Sequence, residues 1–212
     1  AAIDFAIGVT SGVDMSNGSV DSRVVISGGG AWYLISSTVG VVNQKLSGVT
    51  FDLNLRASNT FTLKSPMLSF THPTGGLPFH YLDFKLRLDG AKRAAGLQIH
   101  LSNRCSASIN ATGCKGYAAQ IGDPLSPPNK GHEFFMKDFV AGFSEWNDPD
   151  RVTDRPSADG YQLEVYDPDG HYFNTVIYDG HKGIFCNGTS NTFSVGHIWG
   201  LSEPTQGMNT IG

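Results

Sequence analysis

Apolar and polar side chains alternate residue by residue through four separate stretches of this chain. That period of two constrains the fold more than any other feature. Ile3, Phe5, Ile7 and Val9 are interleaved with Asp4, Ala6 and Gly8, and Val49, Phe51, Leu53 and Leu55 with Thr50, Asp52, Asn54 and Arg56. Leu82, Phe84, Leu86 and Leu88 are interleaved with Asp83, Lys85 and Arg87, and Leu97, Ile99 and Leu101 with Gln98, His100 and Ser102. Successive side chains of a strand point to opposite faces, so each segment presents one apolar and one polar face. Antiparallel sheets, with one face on a core and the other in water, commonly read this way.

Further strand candidates at 20–27, 31–42, 60–70, 115–121, 161–167, 171–178 and 193–200 are separated by turn-forming clusters such as Ser27-Gly28-Gly29-Gly30 and Asp89-Gly90. The cluster Asp167-Pro168-Asp169-Gly170 predicts a hairpin over 161–178, with Pro168 at the second turn position and Gly170 at the left-handed one. Helix is scarce. Its one candidate is 132–145, where Phe135, Met136, Phe139, Val140 and Phe143 fall on one helical face, although the segment reads equally well as a strand. No internal repeat and no linker are apparent. The expectation is an all-β single domain over 1–212, an antiparallel β sandwich or jelly roll with little helix.

Composition narrows the partners. The 212 residues carry 15 basic and 19 acidic side chains, a net charge of −4, so no cationic excess is available to neutralise nucleic-acid phosphates. With 40% hydrophobic residues the chain can build a core. No run of 18 apolar residues exists to span a membrane as a helix. No basic segment followed by an apolar stretch opens the sequence, so no signal peptide is read, and the Ala1-Ala2 start is compatible with a processed product. Cys105 and Cys114 bracket the short polar loop SASINATG and are expected to form a disulfide, leaving Cys186 as a small buried residue. Asn17, Asn110 and Asn187 each head a glycosylation sequon. Low charge, abundant hydroxyls and the expected disulfide favour an exported, extracellular or cell-surface protein.

Several residues could carry chemistry. Gln98 and His100, two apart on one strand, project from its polar face beside Lys92 and Arg93. Gln98-Ile99-His100 resembles the Q-I-H motif of alginate-lyase-type polysaccharide lyases. Asn54-Leu55-Arg56 upstream resembles part of that family's arginine strand, and the segment Tyr172 to Tyr178 downstream keeps the two tyrosines of its Y-F-K-x-G-x-Y strand. Asp52 and Asn54 replace the first arginine and the glutamate of the first motif; Asn174 and Val176 replace the lysine and glycine of the second. The resemblance implies a β jelly roll that cleaves uronate glycans by β-elimination. His100 would be the base, Tyr178 the acid, and Arg56 with Gln98 the groups that neutralise the uronate carboxylate and so acidify its neighbouring C5 proton.

Tyr166, Tyr172 and Trp146 are candidate sugar-stacking rings, with Tyr166 on the polar face shared by Gln162 and Glu164. Asp148, Asp150 and Asp154 alternate closely enough to hold calcium, although no cofactor is required by any motif. The histidines show no HxH or HExxH spacing, and no P-loop or GxSxG occurs. The N-terminal strand, within residues 1–12 and tethered by a Ser/Gly/Asn-rich stretch, could complete its own sheet or a neighbour's by strand addition. The leading expectation is an exported interaction protein, a filament-type subunit or glycan-binding adhesin. The alternatives are a secreted polysaccharide lyase and a viral or phage structural protein.

Overall fold

A computed structural model describes residues 24–42, 46–71, 79–125, 133–142, 160–178 and 182–199. Among them the chain forms strands and no helix, and no helix there is long and apolar enough to cross a membrane. The strands are β1 (Val24–Ile35), β2 (Val39–Val42), β3 (Val49–Ala57), β4 (Pro66–Thr71), β5 (Phe79–His80), β6 (Asp83–Asp89), β7 (Ala95–Ile99), β8 (Ser102–Asn103), β9 (Ser106–Thr112), β10 (Ala119–Ile121), β11 (Phe135–Gly142), β12 (Tyr161–Val165), β13 (His171–Tyr178), β14 (Lys182–Cys186) and β15 (Thr192–Trp199).

A seven-stranded sheet has the order β1-β3-β6-β9-β11-β13-β15, and a six-stranded sheet the order β14-β12-β10-β7-β4-β2. The short β5 and β8 pair as a third side. The chain therefore lays one strand in the first sheet, turns, lays one in the second, and returns to the first beside its previous strand. Every pairing is parallel. This is a parallel β-helix, a solenoid whose coils bury their inner faces against one another.

The expected antiparallel sandwich or jelly roll is thus incorrect, and the reason is physical. Alternation reports that one face of a strand is buried; it carries no information on the direction of the neighbouring strand. Parallel strands usually lose alternation because helices cover both sheet faces. Here each crossover is a strand of the other sheet, so one face stays open and the alternation persists.

The hairpin expected over 161–178 is not formed. β12 pairs with β10 and β14, and β13 pairs with β11 and β15. The turn between them is a corner from one sheet to the other. Asp167 is buried there at 1% exposure and accepts hydrogen bonds from the Ser102 amide (3.3 Å) and hydroxyl (2.9 Å). The helix candidate is strand over 135–142, with Met136, Phe139 and Ala141 in the core. Gly28-Gly29-Gly30 lies inside β1, where the pairing slips between Ser27 and Trp32. The alternating segment 3–9 lies outside the described residues.

The core is a set of vertical ladders. Ile26, Phe51, Phe84, Ala107, Met136, Tyr172 and Phe193 are successive register partners across the seven-stranded sheet. Phe70, from the six-stranded sheet, packs edge-on against Phe51 at 5.1 Å and Phe84 at 5.2 Å, so both sheets share one interior. The fully buried residues also include Phe61, Phe79, Phe134 and Phe139.

The repeat absent from the sequence is present in the backbone. Two positions before the first register partner in coil after coil stand Gly48, Tyr81, Arg104, Glu133, Asp169 and Ser190. All six have left-handed φ, between 52° and 66°. Five are not glycine, and such a conformation costs an L-residue roughly 1–2 kcal/mol. It persists because the stacked corners over-determine it, as where Arg104 binds Glu133 at 2.7 Å and the Tyr81 hydroxyl at 3.3 Å. The spacing of register partners varies from 20 residues (Thr175 to Val195) to 44 (Ala119 to Leu163), which hides the periodicity.

The Cys105–Cys114 disulfide is also incorrect; both cysteines are free and buried. β9 runs straight between them, and its seven residues span about 23 Å. A disulfide needs Cα atoms within about 7 Å. Burial pushes both thiols up to about 12. Cys186 is exposed rather than buried.

Candidate functional site

On the six-stranded sheet, Leu68, Leu97, Ala119 and Leu163 point into the core, so the residues between them and the next inward row face outward. That outer row is Gly40, Ser69, Gln98, Gln120, Glu164 and Phe185, each the register partner of the next. Gly40 begins it because a Cβ there would overlap the Ser69 carbonyl.

The row is bonded in series and in one direction. The Ser69 hydroxyl donates to Gln98 Oε1 (2.8 Å), Gln98 Nε2 donates to Gln120 Oε1 (2.8 Å), and Gln120 Nε2 donates to Glu164 Oε2 (2.7 Å). Each donor polarises the next, and the chain ends on a carboxylate, where hydrogen bonds are strongest. The Tyr166 hydroxyl also donates to Glu164 Oε2, at 3.4 Å. Burial, followed by the Glu164 charge, pushes the Tyr166 hydroxyl up to about 12, so it stays protonated as a donor.

Gln120 is the node. Its Oε1 also lies 3.5 Å from His100 Nε2. His100 closes β7, with its amide bonded to the Phe70 carbonyl. Burial holds the His100 imidazole below its usual range, only partly offset by the Asp123 charge and the Gln120 hydrogen bond, so the ring is neutral near pH 7.

Aromatic rings edge this strip. Phe185 stands 5.2 Å from Tyr161 and 5.5 Å from Tyr166, and Lys182 Nζ lies 5.2 Å above the Tyr161 ring. Among the described hydrogen bonds, Gln98 uses one amide proton and one lone pair on its carbonyl, and Glu164 uses one carboxylate oxygen. Each therefore keeps hydrogen-bonding capacity for a ligand hydroxyl.

Three residues singled out by sequence, Gln98, His100 and Tyr166, come together here. Arg56 and Tyr178 are on the outer face of the other sheet. Arg56 pairs with Asp89 at 3.1 Å, and its register row runs through Asp89, Thr112 and Gly142 to Tyr178. Four strand spacings, about 19 Å, separate them. The four residues implied by the lyase resemblance are thus divided between two faces.

Tyr172 is fully buried, its ring stacked on Phe193 at 4.8 Å, so it belongs to the core rather than to a ligand surface. Trp146, Asp148, Asp150 and Asp154 lie outside the described residues. Among the described residues no group of three metal-binding side chains occurs.

Sequence reading missed Ser69, Gln120 and Phe185. A signal existed: Leu97-Gln98-Ile99 is echoed by Ala119-Gln120-Ile121 and Leu163-Glu164-Val165, each an outward polar residue between two inward apolar ones. Gln98-Ile99 is thus one rung of a repeated triplet. Comparison with protein-family models, curated proteins and solved structures finds no match for the chain.

Proposed function

We propose that this is an exported glycan-binding protein that holds a neutral polysaccharide along the outer face of its six-stranded sheet. The observation that carries the reading is the bonded row Ser69–Gln98–Gln120–Glu164 edged by Tyr161, Tyr166 and Phe185. Sugar recognition needs fixed donors and acceptors for hydroxyls and flat rings for the apolar sugar faces. The row supplies the first already ordered, so little side-chain entropy is lost on binding. The low overall charge supports a hydroxyl-rich ligand over a polyanion. Glu164, at the end of the bonded row, opposes a uronate carboxylate by like-charge repulsion, so the residues gathered here favour binding over uronate elimination.

Titration calorimetry against a panel of neutral and uronate polysaccharides tests this. Binding to a neutral member is expected, weakened at least tenfold by Tyr166→Ala and by Gln98→Ala, and unchanged by Lys85→Ala on the opposite sheet. A folded protein that binds no neutral member, or a Tyr166→Ala variant that binds as tightly as the parent, would overturn the reading.

A further inference from the structure

Among the described residues, Gln162, Tyr172 and Thr175 are buried at 0% exposure, and the polar atoms of their side chains make no hydrogen bond within the protein. All three belong to one coil, formed by β12 and β13. Gln162 does not share the outer face of Glu164, as simple alternation along β12 would have it. It stands one residue before Leu163, and the residues one before the register partners of that row are Met67, Gly96, Ala118 and Gly183. Met67 and Ala118 are core residues, and a Cβ on Gly183 would point at Ile198 of the seven-stranded sheet, 3.5 Å away. Two consecutive residues therefore turn inward at this end of each strand, and the Gln162 amide enters the solenoid.

Thr175 enters from the other sheet. The same position in the three preceding coils is held by Leu86, Ile109 and Phe139, all in the core. Gly183 faces Ile198 across the interior; one rung along, Gln162 and Ile177 take the same places, and Thr175 is the next inward residue of β13. The amide and the hydroxyl thus approach one region from opposite sheets. Gly96, Ala118 and Gly183 keep it roomy, since a Cβ on Gly183 would make only ordinary contact with Ile198. The Tyr172 hydroxyl is elsewhere, beside Gly170 and Asn191 at the corner. A buried amide and hydroxyl without partners are costly, and ordered water is the usual remedy where the site is polar and has space.

We propose that the solenoid holds an internal water site in the coil 161–178, where water joins the Gln162 amide to the Thr175 hydroxyl. The two side chains offer donors and acceptors both, enough for the two to four bonds that a buried water makes. The site is independent of the glycan reading of the outer face.

A crystal structure of the full chain tests this directly. A water oxygen is expected about 2.7–3.2 Å from an amide atom of Gln162 and from Thr175 Oγ1. A well-ordered interior in which the two side chains bond each other directly, or in which no solvent lies between them, overturns the proposal. Thermal melts of Gln162→Met, Thr175→Val and the double variant give a second reading. Methionine already fills the equivalent place at Met67, and valine keeps the shape of threonine. Each single variant strands the group left behind, so its Tm is expected to fall, and the double variant is expected to fall by less than the sum. A rise in Tm for either single variant, or shifts that simply add, would show that the two groups share no water and equally overturns it.

Discussion

On the outer face of the six-stranded sheet, Ser69, Gln98, Gln120 and Glu164 stand in one row and bond to one another in series. The equivalent face of the seven-stranded sheet carries the row Asp52, Lys85, Ser108 and Asp138, whose members are ionic or hydroxylic and mostly exposed. Its contacts are separate pairs rather than a series: the Ser106 hydroxyl donates to its register partner Asp83, Arg56 pairs with its register partner Asp89 at 3.1 Å, and Lys137 reaches Asp83 from a neighbouring row at 3.0 Å. Stacking equivalent positions directly above one another explains the contrast. Amides have a donor and an acceptor each, so a column of them satisfies itself and closes over, leaving Gln120 at 6% exposure. A carboxylate only accepts and an ammonium only donates, so the charged face forms isolated pairs rather than a continuous series, and Asp52, Lys85 and Asp138 stay in water.

The comparison breaks most readily at its node. Gln120→Leu removes the acceptor for Gln98 and a donor to Glu164, stranding polar groups that are largely shielded from water. We expect a loss of about 1–3 kcal/mol in urea unfolding together with loss of glycan binding. Lys85→Leu on the other face should cost almost nothing.

Glu164→Gln sharpens it next. Hydrogen bonds to a charged acceptor exceed neutral ones by about 1 kcal/mol, so stability should fall by about that amount. Binding of uronate polysaccharide should rise, because the repelling carboxylate is gone; calorimetry on both ligand classes would show it.

A third contrast is with pH. The folded-state pKa of His100 lies below its unfolded value of 6.5. The unfolded chain therefore takes up the proton first as pH falls through 6.5, and stability drops from there downward while being unaffected above. His100→Gln should flatten that part of the stability profile measured by thermal melts.

The smallest effects belong to the charged face. Burial alone would raise the Asp83 carboxyl, but the Ser106 hydroxyl and the Lys137 ammonium outweigh it and hold the group below 3.8. Its contribution is present above pH 3.8 and lost as pH falls through the lower folded-state value. With Lys137 about half exposed, Lys137→Ala should cost well under 1 kcal/mol. The remainder should vanish in 1 M salt, where charges beyond about 3 Å are screened. Persistence of a large effect at that salt would show that this face is not the solvated surface it resembles.

Much of this molecule was legible residue by residue. β3, β6 and β13 fall close to the predicted strands because their alternation or their turn-flanked apolar content is local. Gln98, His100 and Tyr166 could be picked out as outward polar groups for the same reason. Partners were not legible. Asp167-Pro168-Asp169-Gly170 makes a turn in either architecture, and only the pairing of β12 with β10 and β14 shows it to be a corner. The corner conformation shared by Tyr81, Arg104, Glu133, Asp169 and Ser190 has no common side chain to announce it, since stacking rather than glycine enforces it.

The sequence by itself determined that this chain is built of strands with one greasy side and one polar side, because a period of two is written into each segment and needs no neighbour. Only the tertiary structure decided that those strands run parallel in a solenoid and that Ser69, Gln98, Gln120 and Glu164 form one continuous row. Both depend on which segments lie side by side, and here that register is set by coils of unequal length, to which a local pattern is blind.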